Sequence, residues 1–238
     1  MLPSRGARRV LTGALLLLAV VFAALGTWQM QRLLWKLDLI ERVEARVHAE
    51  PVPAPARGTW DAVNQEKDEY RRVTATGLFQ HDKTVLVQAV TERGAGFWVL
   101  TPLRLAGDAT VLINRGFVPA DRRDPAARLA SEIAAGPVTV TGLLRISEPD
   151  GAFLRSNDPA NDRWFSRDVA AIAAAKDLSD AAPYFIDADA TPNPGGLPIG
   201  GLTVVTFRNS HLVYALTWCA LAVMSAAGAW YVYRSRPA

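Results

Sequence analysis

The hydrophobic positions of this chain are concentrated in two uninterrupted runs. Residues 10–30 form a stretch of 21 without a charged side chain, and residues 212–233 form a second uncharged stretch. At 1.5 Å per residue, a helix of this length reaches about 30 Å, the thickness of the hydrocarbon core of a bilayer. We therefore predict two transmembrane helices, over residues 10–30 and 211–233. Buried core helices of soluble proteins are rarely this long and this free of charge.

The residues that flank the two runs predict the topology. Arg5, Arg8 and Arg9 precede the first run, and Arg234 and Arg236 follow the second, which ends in aromatic residues. By the positive-inside rule, residues 1–9 and 234–238 are predicted to be cytoplasmic. Residues 31–210 would then form a periplasmic domain of a protein in the bacterial inner membrane. A cleavable signal peptide is the alternative for the first run, but this run is longer than the apolar region of a signal peptide.

In the middle of the chain, a short amphipathic helical stretch is followed by segments with the pattern of β-strands. Residues 36–49 have apolar positions at helical spacing, and Pro51, Pro53 and Pro55 then form a stiff spacer. Segments rich in β-branched and aromatic residues follow, and short Gly-containing links between them indicate antiparallel hairpins. Two short helices are predicted at 125–135 and 167–176, and a mobile loop at 191–201. The predicted strands are residues 73–79, 84–90, 97–103, 110–118, 138–146, 184–187 and 202–207.

These patterns predict a membrane protein of the α+β class. Two transmembrane helices would flank a mostly antiparallel β domain, a sandwich or a partly closed barrel, that carries short helices.

Composition and motifs exclude several kinds of site. The only cysteine, Cys219, lies in the second apolar run, so neither an intramolecular disulfide nor a Cys-based metal site is expected. The net charge of +3 comes largely from the flanking arginines, and we expect no nucleic-acid binding. His81 is predicted to lie in a solvated turn. Asp187 and Asp189 would share one face of a strand, where they could bind a cation but are expected simply to be exposed.

Polar and aromatic residues at one end of each apolar run suggest a site. His211, Tyr214, Ala215 and Trp218 share one face of the second helix. The first helix leaves the membrane at the same rim, where Trp28 and Arg32 lie. An imidazole suits haem iron, arginine suits propionates, and aromatic rings suit a porphyrin. The alternative is that these residues are ordinary interfacial anchors.

The sequence also resembles the Surfeit locus protein one family of cytochrome c oxidase assembly factors. The resemblance extends over nearly the whole chain. Its motifs here are Gly26-Thr27-Trp28-Gln29, Tyr70-Arg71-Arg72-Val73, Gly96-Phe97-Trp98-Val99-Leu100-Thr101-Pro102, Asn114-Arg115-Gly116-Phe117-Val118-Pro119, Gly142-Leu143-Leu144-Arg145 and Asn209-Ser210-His211.

The resemblance implies a role in maturing the haem-bearing catalytic subunit of haem–copper oxidase. It implies that the protein is not an enzyme, that it binds haem a transiently, and that His211 is the iron ligand. Trp28, Arg32, Tyr214 and Trp218 would form the wall of that site. Implied partners are the oxidase catalytic subunit, haem a synthase and membrane lipid. Within the strand motifs, Gly116 is expected to supply a backbone angle that other residues rarely adopt.

Two other hypotheses stay open at this point. The protein could be a scaffold that stabilises the immature oxidase subunit without binding haem. It could also be a membrane-anchored periplasmic enzyme, which would require His81 to lie against a serine and an acidic residue in a cleft.

Overall fold

The computed structural model describes residues 5–132, 136–149, 155–205 and 207–235. The chain divides into two compact units, one made of residues 1–42 and 205–238 and the other of residues 43–204. Residues 133–135 of the short helix predicted at 125–135, and parts of both predicted cytoplasmic ends, lie outside the described residues.

The first unit is built on two long helices. Helix α1 is Arg5–His48, whose last residues belong to the second unit, and a late helix is His211–Arg234. Both are long and apolar enough to cross a membrane. The amphipathic stretch over residues 36–49 continues helix α1 to His48 without a break, because no glycine or proline interrupts residues 31–48.

The second unit is a β domain with short helices. Its α-helices are α2 (Gln65–Asp68), α3 (Leu129–Glu132) and α4 (Val169–Ala175), and the late helix of the first unit is therefore α5. Its strands are β1 (Val52–Pro53), β2 (Arg72–Phe79), β3 (Val85–Thr91), β4 (Gly94–Leu105), β5 (Thr110–Pro119), β6 (Val138–Ile146) and β7 (Ala181–Ala188).

Five of these strands close a small barrel. The order along the sheet is β1-β2-β6-β7-β5-β4-β3, and β4 also pairs with β2. That closing contact is antiparallel and joins Gly77 to Leu105 and Phe79 to Leu103. A side chain at Gly77 would overlap the backbone of Arg104, so the close approach of the two strands requires glycine here. The predicted mostly antiparallel domain is confirmed, in its barrel form.

Alternation along the strands gives the barrel two apolar faces. Tyr184 and Ile186 of β7 belong to the cluster that fills the barrel, together with side chains from β2, β4, β5 and β6. Phe185, between them, belongs to a second cluster in which strands β3, β4, β5 and β7 pack against Trp164 and helix α4. This period of two is the reason that the strand segments could be recognised in the sequence.

Six of the seven predicted strands are present, but the predicted strand at 202–207 is wrong. Residues 201–205 and 207–210 form no strand, and Thr206 lies outside the described residues. Both edges of β7 are already paired, with β5 and β6, and β5 is also paired on both edges. The closed barrel therefore leaves no edge beside these strands for a further one. Instead, Thr203 donates a side-chain hydrogen bond to Asp187, at 2.9 Å.

The loop predicted at 191–201 makes defined contacts with β5. Ile199 and Phe117 exchange backbone hydrogen bonds, each 2.9 Å long. Gly116 beside them has a φ of +130°, and a Cβ at this position would overlap the backbone of Ile199. The expected special backbone angle of Gly116 is thus confirmed, and the close loop contact explains why glycine is needed.

Candidate functional site

Helices α1 and α5 pack antiparallel in the first unit. The contacts recur along both helices and join residues that are more than 180 positions apart in the sequence. They are Arg8 with the carbonyl oxygens of Val232 and Tyr233, Leu15 beside Gly228, Phe22 stacked on Trp218, Gly26 beside Ala215, and Gln29 with His211.

Small residues allow the helices to approach closely near the His211 end. Gly26 is buried and Ala215 is 1% exposed. A Cβ on Gly26 would lie 3.2 Å from Cys219 Sγ and 3.7 Å from the Ala215 carbonyl oxygen. Small residues at such a crossing let two apolar helices make backbone-level contact. One turn further along each helix, this spacing brings Gln29 and His211 together.

His211 is the first residue of helix α5 and is half-buried. Its Nδ1 lies 2.8 Å from Oε1 of Gln29. Its backbone N–H donates to the side chain of Asn209, at 3.3 Å. The facing helix therefore contacts the imidazole through Gln29, and Asn209 in the preceding turn holds the backbone at the start of helix α5.

The other predicted site residues differ in their surroundings. Trp218 faces helix α1, where its ring centroid is 5.6 Å from that of Phe22. Trp28 and Tyr214 are 51% and 54% exposed. Arg32 is also exposed, and its guanidinium lies 4.8 Å from the centre of the Trp35 ring. Thus His211 and Trp218 are part of the helix contact, whereas Trp28, Tyr214 and Arg32 are exposed.

If a haem bound at this end of the helix pair, His211 would be its candidate protein ligand. Within the described ranges, no group of three or more His, Cys, Asp or Glu residues could hold a metal ion. A macrocycle that supplies its own equatorial nitrogens needs only an axial imidazole. Because the hydrogen bond to Gln29 engages Nδ1, Nε2 is the ring nitrogen suited to that role.

The barrel domain carries a second polar cluster, which the sequence did not predict. Asp187 is 3% exposed, so its expected exposure is wrong. Its carboxylate accepts hydrogen bonds from Arg145 at 2.9 Å and Arg167 at 3.1 Å. Asn114 and Thr203 donate two more, at 2.7 and 2.9 Å.

Further carboxylates complete this cluster around the two arginines. Glu69 accepts from Arg145 Nε at 2.8 Å, and Glu148 bridges Arg145 and Arg167 at 2.7 and 2.8 Å. Burial opposes the charge on Arg145, but Asp187, Glu69 and Glu148 outweigh it, so the pKa of Arg145 lies above its ordinary value. Leu144 points into the barrel core, so Arg145, the next residue, lies on the opposite face of β6. The alternation of side chains along β6 was the signal in the sequence that could have placed Arg145 on this face.

An open cavity of about 640 Å³ borders the cluster. Arg145, Arg167 and Asp187 line it together with Trp98 and the segment 201–204. The guanidinium groups of both arginines are already bonded to carboxylates. The cluster therefore acts as a strut that ties β6 and β7 to Glu148 and Arg167.

His81 does not have the surroundings that the enzyme hypothesis requires. Its ring lies 5.4 Å from that of Phe79, and its Nδ1 is 3.4 Å from the guanidinium of Arg115. Burial and the charge of Arg115 lower the pKa of His81 below 6.5. Burial also lowers the pKa of Arg115, to about 10. An aromatic ring and a guanidinium replace the serine and carboxylate that a hydrolytic triad would place there.

Fold and site together define a class: proteins with two helices suited to cross a membrane and a small β-barrel domain encoded between them. The SURF1 family model matches residues 16–223. Surfeit locus protein 1 of Homo sapiens is 39% identical over 226 residues, which cover 87% of this chain and 72% of that protein.

Relatives from distant animals and from a choanoflagellate match over similar lengths. The SURF1-like protein of Monosiga brevicollis is 39% identical over 228 residues, covering 90% of this chain and 84% of the relative. That of Caenorhabditis elegans is 34% identical over 238 residues, covering 90% and 72%. The chain belongs to the SURF1 family.

Proposed function

We propose that this protein is an assembly factor for haem–copper cytochrome c oxidase, which binds haem a at the outer membrane rim of its two helices and aids its insertion into the catalytic subunit. Membership of the SURF1 family supports the assembly role. The observation that carries the haem-binding part is the half-buried His211, whose Nδ1 is bonded to Gln29.

In this proposal, His211 would hold the haem by binding its iron. Trp28 and Tyr214 would offer exposed aromatic surfaces to the porphyrin, beside Trp218, which packs on Phe22, and Arg32 would offer a cation for a propionate. The protein would carry the haem and would make and break no covalent bond in it. Since transfer requires that the recipient bind haem more tightly than the donor, one protein ligand is suited to a carrier.

The same proposal assigns location and partners. The first unit would lie in the bacterial inner membrane in contact with lipid, and the barrel domain would face the periplasm. The oxidase catalytic subunit would receive the haem, and haem a synthase would supply it. Arg8 and Arg234 near one end of the helix pair support a cytoplasmic position for that end.

The visible absorption spectrum of the purified protein tests haem binding. The full chain is purified in detergent from cells that make haem a. We expect a Soret band in the wild-type protein and its loss in His211→Ala. His48→Ala is the matched control, because His48 is also helical but exposed. Absence of a Soret band in wild type, or an unchanged band in His211→Ala, would contradict the proposal.

Complementation separates haem delivery from a scaffold function. In cells that lack the gene, wild-type protein should restore haem-containing oxidase, measured by its reduced-minus-oxidised spectrum. His211→Ala should restore less, at equal protein level. Full restoration by His211→Ala would favour the scaffold that never binds haem.

A further inference from the structure

In the hydrogen bond between Gln29 and His211, the donor and the acceptor can be assigned. The two side chains meet at 2.8 Å across 182 residues of sequence, through Nδ1 of the imidazole and Oε1 of the amide. An amide oxygen carries only lone pairs, so the shared hydrogen must belong to Nδ1. A neutral imidazole has a single N–H. Nε2 of His211 is then the nitrogen with the free lone pair.

The helix crossing fixes this contact. Gln29 lies three residues after Gly26, and His211 lies four residues before Ala215, so both side chains sit one turn beyond the closest approach of the helices. A Cβ on Gly26 would already be within 3.6 Å of the Trp218 side chain. The amide oxygen is therefore presented to the imidazole by tightly packed helical backbone.

We propose that Gln29 is a positioning residue, which holds the proton of His211 on Nδ1 and so reserves Nε2 for haem iron. This inference rests on the proposed haem binding. Histidines that bind metals commonly donate their other ring N–H to an acceptor, which fixes the tautomer and the ring orientation. In water, a free neutral histidine side chain prefers the opposite tautomer, with the proton on Nε2.

The chemistry of the acceptor suits a protein that must release its cargo. A carboxylate in place of Gln29 would draw the Nδ1 proton more strongly and make His211 a more electron-rich ligand. A neutral amide orients the ring without adding charge. Gln29 thus gives a defined but moderate iron ligand, consistent with transfer to a tighter site.

The tautomer can be measured without haem. We would label the full chain with ¹⁵N-histidine, purify it in detergent, and record ring ¹⁵N shifts at a pH where histidines are neutral. His48→Ala and His81→Gln variants assign the three histidines. Wild-type His211 should carry its proton on Nδ1, and Gln29→Leu should shift it towards Nε2. Gln31→Leu, an exposed glutamine on the same helix, should change nothing.

Haem titration and redox potentiometry of the same variants complete the test. Gln29→Leu should weaken haem a binding by roughly 10- to 100-fold. Gln29→Glu should keep the Nδ1 proton and the haem spectrum, and should lower the reduction potential of the bound haem. The second variant shows whether a hydrogen-bond acceptor is what the position must supply.

The outcomes distinguish the two proposals. A wild-type His211 with its proton on Nε2, or a tautomer and haem affinity unchanged in Gln29→Leu, overturns the positioning role and leaves haem binding intact. A wild-type protein that takes up no haem a overturns the proposed function, and with it the ligand role of Nε2. Loss of haem in Gln29→Leu that Gln29→Glu restores supports the positioning role.

Discussion

Replacing Asp187 by asparagine should measurably destabilise the barrel domain. Asparagine has nearly the same shape but no charge, so Arg145 and Arg167 each lose a charged partner that lies 2.9 and 3.1 Å away. The two guanidinium groups remain buried, at 11% and 14% exposure.

The expected size of this effect follows from the remaining partners. Removing one member of a buried ion pair costs about 3–5 kcal/mol. Glu69 and Glu148 still compensate the two arginines, although Glu148 is 37% exposed and its charge is partly screened by water. We therefore expect the lower end, about 3 kcal/mol. With an m-value of about 2 kcal/mol per molar urea, the unfolding midpoint should fall by about 1.5 M.

Pulse proteolysis of the full chain in detergent and urea measures this midpoint, because a short protease treatment cleaves only unfolded barrel. Asp189→Asn is the matched control. Asp189 is only half-buried, and its side chain accepts one local hydrogen bond from the Thr191 N–H, so we expect a loss below about 1 kcal/mol. If the Asp187→Asn midpoint lay within about 0.3 M of wild type, the cluster would not be the strut inferred above.

Three further variants test other features. Burial lowers the pKa of His81 in the folded chain, so the unfolded chain takes up a proton first as the pH falls below 6.5. The free energy of unfolding should therefore decrease from that pH through the folded pKa. His81→Gln should flatten this part of the plot of urea midpoint against pH. Gly116→Ala should lower the free energy of unfolding by more than about 2 kcal/mol, because the new Cβ would overlap the Ile199 backbone and the positive φ would be strained. Gly107→Ala, with φ +80° and open space around it, should lower it by about 1 kcal/mol in the same assay. Gly26→Leu should separate the helices and abolish the haem spectrum, whereas Gly13→Leu, which has open space around it, should keep it. An intact spectrum in Gly26→Leu would contradict the helix-pair site.

Local periodicity explains how much of the fold could be predicted from the sequence. Strand β5 alternates residues of the two apolar clusters, such as Ile113 and Leu112, and a short hairpin turn joins it to the antiparallel strand β4. The predicted strand at 202–207 has the same local composition. The segment forms no strand because a strand needs a free edge to pair with. Only the closed topology shows that β5 and β7 have no free edge.

The candidate site also has a part that the sequence could predict and a part that it could not. The position of His211 at the start of a long apolar helix could be predicted, because an ionisable residue at the beginning of such a helix is conspicuous. The partner Gln29 was visible in the sequence but could not be assigned, because nothing local states which turn of helix α1 faces helix α5. Arg145 and Asp187 were missed because a charge in a strand is usually exposed, and their mutual neutralisation appears only when β6 and β7 pair.

The place of β7 in the barrel has a consequence during synthesis. β7 lies between β5 and β6, although it is made last of the three. Until residues 181–188 have left the ribosome, β5 and β6 each present an unpaired edge, and the nascent chain is open to mispairing and aggregation. The second apolar helix begins at His211, soon after β7. Synthesis of the last strand and synthesis of that helix therefore follow one another within a few seconds of elongation.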